Sequence, residues 1–244
     1  KDVETINLEL ILADQEMVEK RLGNIERDVR AGKKESLAEQ AALLKAQQVL
    51  NQGQLASTAE YTKDEMFAIK GMHLLTMKPM LYVLNKEADG HNIDELNDGR
   101  YERLIDAFER VGSQYVIVDA NVENELRDLT GDDKAGFRQE YGVFDDGVNG
   151  LIKAGYKLLG LMSFFTTGKV ETRAWTIPVG STAPEAGAAI HTDFFTKFIR
   201  AEVIAWDKLI EAGSRAKARE LGWIRTEGKE YIVKEGDTME FLHG

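Results

Sequence analysis

The sequence has no cysteine and only three prolines and four histidines in 244 residues, and each scarcity excludes a kind of site. Without cysteine there is no disulfide, thiolate metal site or cysteine nucleophile, and the composition fits a reducing compartment. The histidines, His73, His91, His191 and His243, are scattered without the spacing of metal ligands. A metal ion held only by protein side chains is therefore not expected.

Long apolar runs are also lacking. No run approaches the roughly 18 residues needed to span a bilayer, and the first residues do not form a secretory signal. We therefore expect a cytoplasmic location and no membrane partner. The net charge of -11 is acidic, and no strongly basic stripe is present, so DNA is not an expected partner either.

The first 51 residues have the periodicity of two helices that pack together. Apolar side chains return along the first helix in steps of three, four or seven residues, at Ile11, Val18, Leu22, Ile25 and Val29. Gly32 permits a left-handed turn, and Ser36 can cap a second helix. The pattern predicts an antiparallel coiled-coil hairpin within residues 1–61. Its role is either purely structural or that of a docking arm for a large partner.

Two short apolar runs farther along predict a pair of parallel strands. The run Met80–Leu84 and the run that begins at Tyr115 enclose a helical pattern near Tyr101–Gly112, which is typical of a β-α-β unit. Two strands alone do not make a stable open sheet. We therefore expect the other strands of this sheet to come from a segment outside this sequence.

Polar residues follow each of these strands directly. Asn85, Lys86 and Glu87 come after the first strand, and Asp119, Ala120 and Asn121 end the second. The carboxyl ends of adjacent parallel strands are where open α/β sheets bind ligands, so these six residues predict a pocket for a nucleotide base. The alternative is that Asn85 is a turn residue, because asparagine tolerates left-handed backbone conformations.

Phosphate-binding and catalytic motifs are not found. Each of three Gly-Lys pairs, at Gly32, Gly168 and Gly228, lacks the upstream glycine and following Ser or Thr of a P-loop. The stretch Asp133–Gly136 matches a magnesium-binding Asp-x-x-Gly pattern, but no strand precedes it, and we assign it to a loop. No set of histidine, serine and aspartate is arranged for nucleophilic or acid-base catalysis, so no catalytic residue is predicted.

The last 80 residues predict a separate small module. A helical pattern at Gly150–Met162 leads into it, "ETRAWTI" alternates like a strand, and "PVGSTAPEAGAAI" supplies a turn and a capped helix. The stretch "KEYIVKEGDTMEFL" predicts two strands around a turn at Glu235–Asp237. Strand, helix and late hairpin together suggest a β-grasp module.

Several segments resemble the YchF, or Obg-like, ATPase family. They are "DVETINLELILADQEMVEKRL", "KPMLYVLN", "RAWTIPVGSTAPEAGAAIHTDF" and "GKEYIVKEGDTMEF", and the likeness covers the C-terminal two thirds of that family. It implies an α+β multi-domain fold with a coiled-coil arm (1–61), the distal half of a P-loop G domain (62–164) and a β-grasp TGS domain (165–244). The other half of the G domain would carry the phosphate loop and would be a partner of this chain.

The resemblance also implies part of a ribosome-associated protein that binds and hydrolyses ATP or GTP. ATP or GTP and Mg2+ would be cofactors only of the complete protein; none is expected for this chain alone, which is predicted to be inactive. In the family, an Asn-x-x-Glu motif accompanies preference for ATP. Here the sequence reads Asn85-Lys86-Glu87-Ala88, which leaves the base choice open. The alternative function is a ribosome- or RNA-binding adaptor without nucleotide.

Two basic residues are candidates for contact with that partner. Lys197 and Arg200 lie three apart in "KFIR", where a helical turn would place both on one face. They form either a partner-binding surface of the TGS domain or an ordinary solvated edge.

Overall fold

The computed structural model describes residues 2–87, 90–110, 112–140, 147–168 and 171–244. The chain forms two compact units, Lys1–Met80 and Leu81–Gly244. The first unit is helical, and the second contains both helices and strands. The fold is therefore of the predicted α+β class.

The first unit begins with two long antiparallel helices, α1 (Asp2–Arg30) and α2 (Lys34–Asn51). Gly32 has a φ of +71° in the turn between them, as predicted. The predicted cap at Ser36 is wrong, because α2 begins at Lys34 and Ser36 lies inside it. Across the pair, the Arg21 guanidinium donates to both carboxylate oxygens of Glu39, at 2.6 and 3.0 Å.

Apolar residues of the predicted seam form the core of this unit. Ile11, Val18 and Ile25 are buried against Leu43 and Leu50 of α2. The short helix α3 (Lys63–Lys70) packs on α2 and begins at a capping box made by Thr62 and Glu65. Turns of 3-10 helix at Ala56–Thr58 and Leu75–Met77 complete the unit. Helix α3 thus packs with the arm, beyond the predicted domain boundary at residue 61.

The second unit starts with the predicted β-α-β arrangement. Strands β1 (Leu81–Asn85) and β2 (Gln114–Val118) run parallel, with Leu81 paired to Gln114 and Asn85 to Val118. Helix α4 (Arg100–Arg110) connects them. Its buried Phe108 stacks on Tyr82 and Tyr115, with ring centroids 4.6 and 5.5 Å apart. This aromatic stack holds α4 on one face of the strand pair.

After β2 the described residues form helices α5 (Ala120–Glu125), α6 (Gly131–Glu140) and α7 (Gly147–Leu158). The assignment of Asp133–Gly136 to a loop is wrong, since this stretch lies within α6. The predicted extension of a helix to Met162 is also wrong. Gly160 has a φ of +62°, and the apolar run after it belongs to a partly buried strand. A short apolar run does not by itself distinguish such a strand from a helix.

The rest of the second unit is a five-stranded mixed sheet with four helices. The strands are β3 (Leu161–Thr167), β4 (Thr172–Pro178), β5 (Phe198–Ala205), β6 (Arg225–Glu227) and β7 (Asp237–His243). Their order is β4-β3-β7-β5-β6, with β3 and β7 parallel and the other neighbours antiparallel. The helices are α8 (Ala183–Ile190), α9 (Thr192–Thr196), α10 (Trp206–Ala212) and α11 (Arg215–Glu220).

The predicted late hairpin is wrong. Within the stretch "KEYIVKEGDTMEFL" only β7 is a strand. Ile232, which the sequence pattern places in the first strand of the hairpin, makes a single bridge to Thr182. The backbone hydrogen bonds of this stretch go to the loop before α8: Ala183 N–H donates to the Tyr231 carbonyl and Val233 N–H to the Ser181 carbonyl. A second strand would need those groups for a partner in the sheet.

The core of the mixed sheet lies under α8. Phe164, Ile177, Val203 and Met239 are among the residues buried there. Because β3 spans Leu161–Thr167, the predicted boundary between residues 164 and 165 falls inside a strand, and a boundary before Leu161 fits the sheet better. Among the described residues, no helix is long and apolar enough to cross a membrane.

Candidate functional site

The candidate site lies where β1 and β2 end. Lys86, directly after β1, donates its backbone N–H to the carbonyl of Val118, the last residue of β2, at 2.7 Å. The parallel pairing thus continues one residue past β1. The loops that start at Asn85 and Asp119 therefore leave the same edge of the sheet side by side.

Two side chains connect these loops. Asn85 Oδ1 accepts the N–H of Ala120 at 3.0 Å. Asp119 is buried, and its Oδ1 accepts the N–H groups of Asn121 and Val122, at 3.0 Å each. These bonds cap the first turn of α5. The structure thus brings the predicted residues Asn85, Asp119, Ala120 and Asn121 together.

Lys86 is held by two acidic residues of the following loop. Its ammonium lies 2.9 Å from Asp94 Oδ2 and 2.6 Å from Glu95 Oε1. Hydrogen bonds first to Glu95 and then to Asp94 raise the pKa of Lys86, against the effect of partial burial. The same contact with Lys86 lowers the pKa of Glu95. Lys86 is therefore a fixed cation at this edge.

Glu87 takes part mainly through its backbone, while its side chain is exposed. Its N–H donates to Asn92 Oδ1 at 3.0 Å, and its carbonyl accepts from Asn92 Nδ2 at 2.9 Å. Asn92 Nδ2 also reaches Glu95 Oε2 at 3.2 Å. Asn92 therefore ties the start of the loop to Glu95, one of the two acids that hold Lys86. Ala88, which bears on the choice of base, lies outside the described residues.

Sequence reasoning missed Asn92, Asp94 and Glu95. They lie in "NIDEL", with no strand or recognisable motif around them. The only signal is a pair of acids eight and nine residues after a lysine that directly follows a strand. That spacing becomes meaningful only once the loop returns to Lys86.

The two predicted basic residues of the C-terminal sheet do not share a helix. Lys197 directly follows α9, and its ammonium lies 3.2 Å from Asp193 Oδ2. Arg200 lies in β5 next to a register shift between Phe198 and Arg200. Both side chains are exposed. Their placement on one helical face is therefore wrong, although both remain available to a partner.

The part of the chain that the structure describes contains no group of three histidine, aspartate or glutamate residues that could hold a metal ion.

The strand pair and its two joined loops define an α/β unit of the kind that binds ligands at the carboxyl ends of parallel strands. Similarity to known proteins is extensive. A family model described as "YchF-GTPase_C: Protein of unknown function (DUF933)" matches residues 161–243. The protein "Ribosome-binding ATPase YchF" of Pasteurella multocida is 42% identical over 241 residues, covering 99% of this chain and 65% of that protein.

Two further relatives are also similar to nearly the whole of this chain. The protein of the same name from Bacillus subtilis is 40% identical over 240 residues, which cover 98% of this chain and 65% of the relative. A solved structure, "Structure of the Schizosaccharomyces pombe YchF GTPase", superposes with a TM-score of 0.80 at 26% identity over 99% of this chain and 65% of that one. The chain belongs to the YchF family and spans about 65% of the length of these relatives.

Proposed function

We propose that this chain is the base-reading, arm and C-terminal part of a ribosome-associated protein that binds and hydrolyses ATP or GTP. The observation that carries the proposal is the bond from Ala120 N–H to Asn85 Oδ1. It joins the two loops expected to face the base, at the carboxyl edge of a parallel strand pair. The names of the bacterial relatives, "Ribosome-binding ATPase YchF", support the same conclusion.

In this proposal Asn85 uses its two amide atoms for different tasks. Oδ1 is engaged by Ala120 and fixes the orientation of the side chain. That orientation leaves Nδ2 as the atom that would donate to an acceptor nitrogen on the edge of the base. The loop Asp119–Asn121, rigidified by the Asp119 cap, would close the other side of the pocket.

The residues present do not favour strong selection of guanine. Guanine offers donors at its N1 and N2 positions, and leaving them unpaired is unfavourable. Position 88, where an acid would pair with those donors, is alanine. ATP is therefore the favoured nucleotide in a protein that carries these residues, with phosphates and Mg2+ bound by residues outside this chain.

For the partner, we propose that the arm and the C-terminal module contact the ribosome. We propose that residues 161–243 are the β-grasp TGS domain, supported by the mixed sheet with its parallel β3-β7 contact and by the matching family model. Exposed Lys197 and Arg200 are proposed contacts with the ribosome.

A titration of the 244-residue chain with adenosine and guanosine tests the base pocket, because nucleosides require no phosphate site. We expect NMR signals of Asn85 and Asn121 to shift with adenosine at millimolar concentration. If neither nucleoside shifts them while the chain still sediments with ribosomes, the adaptor function without nucleotide replaces this proposal.

A further inference from the structure

The loop between β1 and α4 contains a clamp on Lys86. Three residues of this loop contribute: Asp94 and Glu95 bind the ammonium, and Asn92 binds the backbone of Glu87. Asn92 also donates to Glu95. The segment 92–95 is thereby bound to the base-facing loop at two points, the backbone of Glu87 and the ammonium of Lys86.

The clamp restricts a side chain that is otherwise highly mobile. A lysine on a surface keeps most of its rotamer freedom, which is lost when a ligand orders it. The Lys86 side chain is 29% exposed and Asp94 is 26% exposed, so this ion pair is partly shielded from solvent. Both ends of the four-carbon stem, at the backbone of Lys86 and at its ammonium, are fixed before any ligand arrives.

We propose that Asp94 and Glu95 are positioning residues for Lys86, holding its stem ready to lie along a purine ring; this rests on the base pocket proposed above. The two acids contact Lys86 and act through it. They would also compensate its charge, so that the stem presents an apolar surface to the base while the cation remains satisfied.

The test compares wild type with D94N/E95Q, which keeps the size of both side chains and removes their charges. The first measurement is the NMR signal of the Lys86 ammonium and its Cε–H groups, with no ligand present. We expect slow ammonium exchange and a distinct Cε–H shift in wild type, and loss of both in the variant. D106N/E109Q, with the same charge change on exposed positions of α4, is the matched control and should resemble wild type.

The second measurement is the adenosine dissociation constant of the same proteins. We expect D94N/E95Q to bind about fivefold more weakly, because the stem must then be ordered on binding. K86M should lose a similar factor. The triple variant K86M/D94N/E95Q should bind adenosine no more weakly than K86M does. Acids that act only through Lys86 have no effect on the affinity once that lysine is replaced. If the loop had a merely structural role, replacing the two acids would weaken adenosine binding of the triple variant further than K86M alone.

The outcomes are separable. An unchanged Lys86 signal in D94N/E95Q, an unchanged adenosine affinity, or additive losses in the triple variant would each overturn the positioning role. If the Lys86 signal changes as expected but wild type binds neither adenosine nor guanosine, the base pocket itself is wrong, and the clamp is then only a structural ion pair.

Discussion

Asp14 and Thr76 form a buried hydrogen-bonded pair across 62 residues of sequence. Asp14 Oδ2 accepts the backbone N–H of Thr76 at 2.7 Å and its hydroxyl at 2.6 Å, while Oδ1 accepts the N–H of Leu75 at 2.8 Å. Thr76 Oγ1 in turn accepts the N–H of Ala56 at 3.1 Å. A carboxylate in the seam of α1 thus satisfies the first turn of a 3-10 helix and anchors the segment that leaves the arm.

We expect Asp14→Ala to lower the free energy of unfolding of the arm by about 3 kcal/mol, because three donors, those of Thr76 buried and that of Leu75 partly buried, lose their acceptor. Thr76→Val should cost about 2 kcal/mol, and Thr76→Ser, which keeps the hydroxyl, clearly less. Urea unfolding followed by circular dichroism at 222 nm measures this. A larger loss in Thr76→Ser than in Thr76→Val would show that the methyl group, and not the hydrogen bonds of the hydroxyl, stabilises the pair.

The capping box of α3 should make the arm sensitive to acid. Glu65 Oε2 accepts from Lys45 Nζ and from Thr62 N–H, at 2.7 Å each. These bonds, that from Lys45 first, hold the pKa of Glu65 below its usual value. A lowered pKa in the folded state stabilises the fold above the ordinary glutamate pKa of about 4.3, and this stabilisation is lost as the pH falls through the lowered value.

Wild type should therefore exceed Glu65→Gln in unfolding free energy at pH 7, and the difference should shrink at pH 3. Unfolding curves at both pH values measure it. Glu19→Gln, on the exposed face of α1, is the control. A difference between wild type and Glu65→Gln that is the same at both pH values would mean that the ionised carboxylate is not the source of the stabilisation.

Asn85→Asp separates the structural and recognition tasks of Asn85. Aspartate keeps an acceptor for Ala120 N–H but has no amide donor for a base. We expect adenosine affinity to fall about tenfold, roughly 1.4 kcal/mol, with little change in melting temperature. Asn124→Asp, the same change at an exposed position of α5, should bind adenosine as tightly as wild type. Unaltered affinity in Asn85→Asp would exclude Nδ2 as the donor to the base.

This chain by itself is expected to hydrolyse neither ATP nor GTP. Charge that develops on the transferred phosphoryl group needs the amides and lysine of a phosphate loop together with magnesium, and the sequence contains no such loop. A phosphate-release assay on the purified chain measures this. Magnesium-dependent turnover that coelutes with the chain through two chromatographic steps would contradict the prediction.

Exchanging Lys197 and Arg200 for glutamate should weaken cosedimentation with ribosomes at moderate salt. The melting temperature should stay nearly the same, because exposed charges and surface ion pairs contribute little to stability. The double variant Lys217→Glu, Lys229→Glu makes the same charge change at other exposed positions and should bind normally. Equal weakening in both variants would indicate a general charge effect and not a specific surface.

Local sequence patterns determined much of this protein. The seam of α1 and the turn at Gly32 follow from side-chain periodicity and backbone freedom within one element. The parallel pair β1-β2 and the positions of Asn85 and Asp119 follow from apolar runs that stop at polar residues. Each of these signals is contained in a few consecutive residues, so the sequence alone predicts them.

Tertiary structure decided the contacts between distant segments. The pairing of Asp14 with Thr76 and the clamp of Asp94 on Lys86 depend on how loops return to earlier elements, which no local pattern encodes. Long-range pairing also made Phe198–Ala205 a strand and left Tyr231–Val233 outside the sheet. Short apolar runs fit a helix or a strand equally well, and only the partner that satisfies their backbone hydrogen bonds selects between the two.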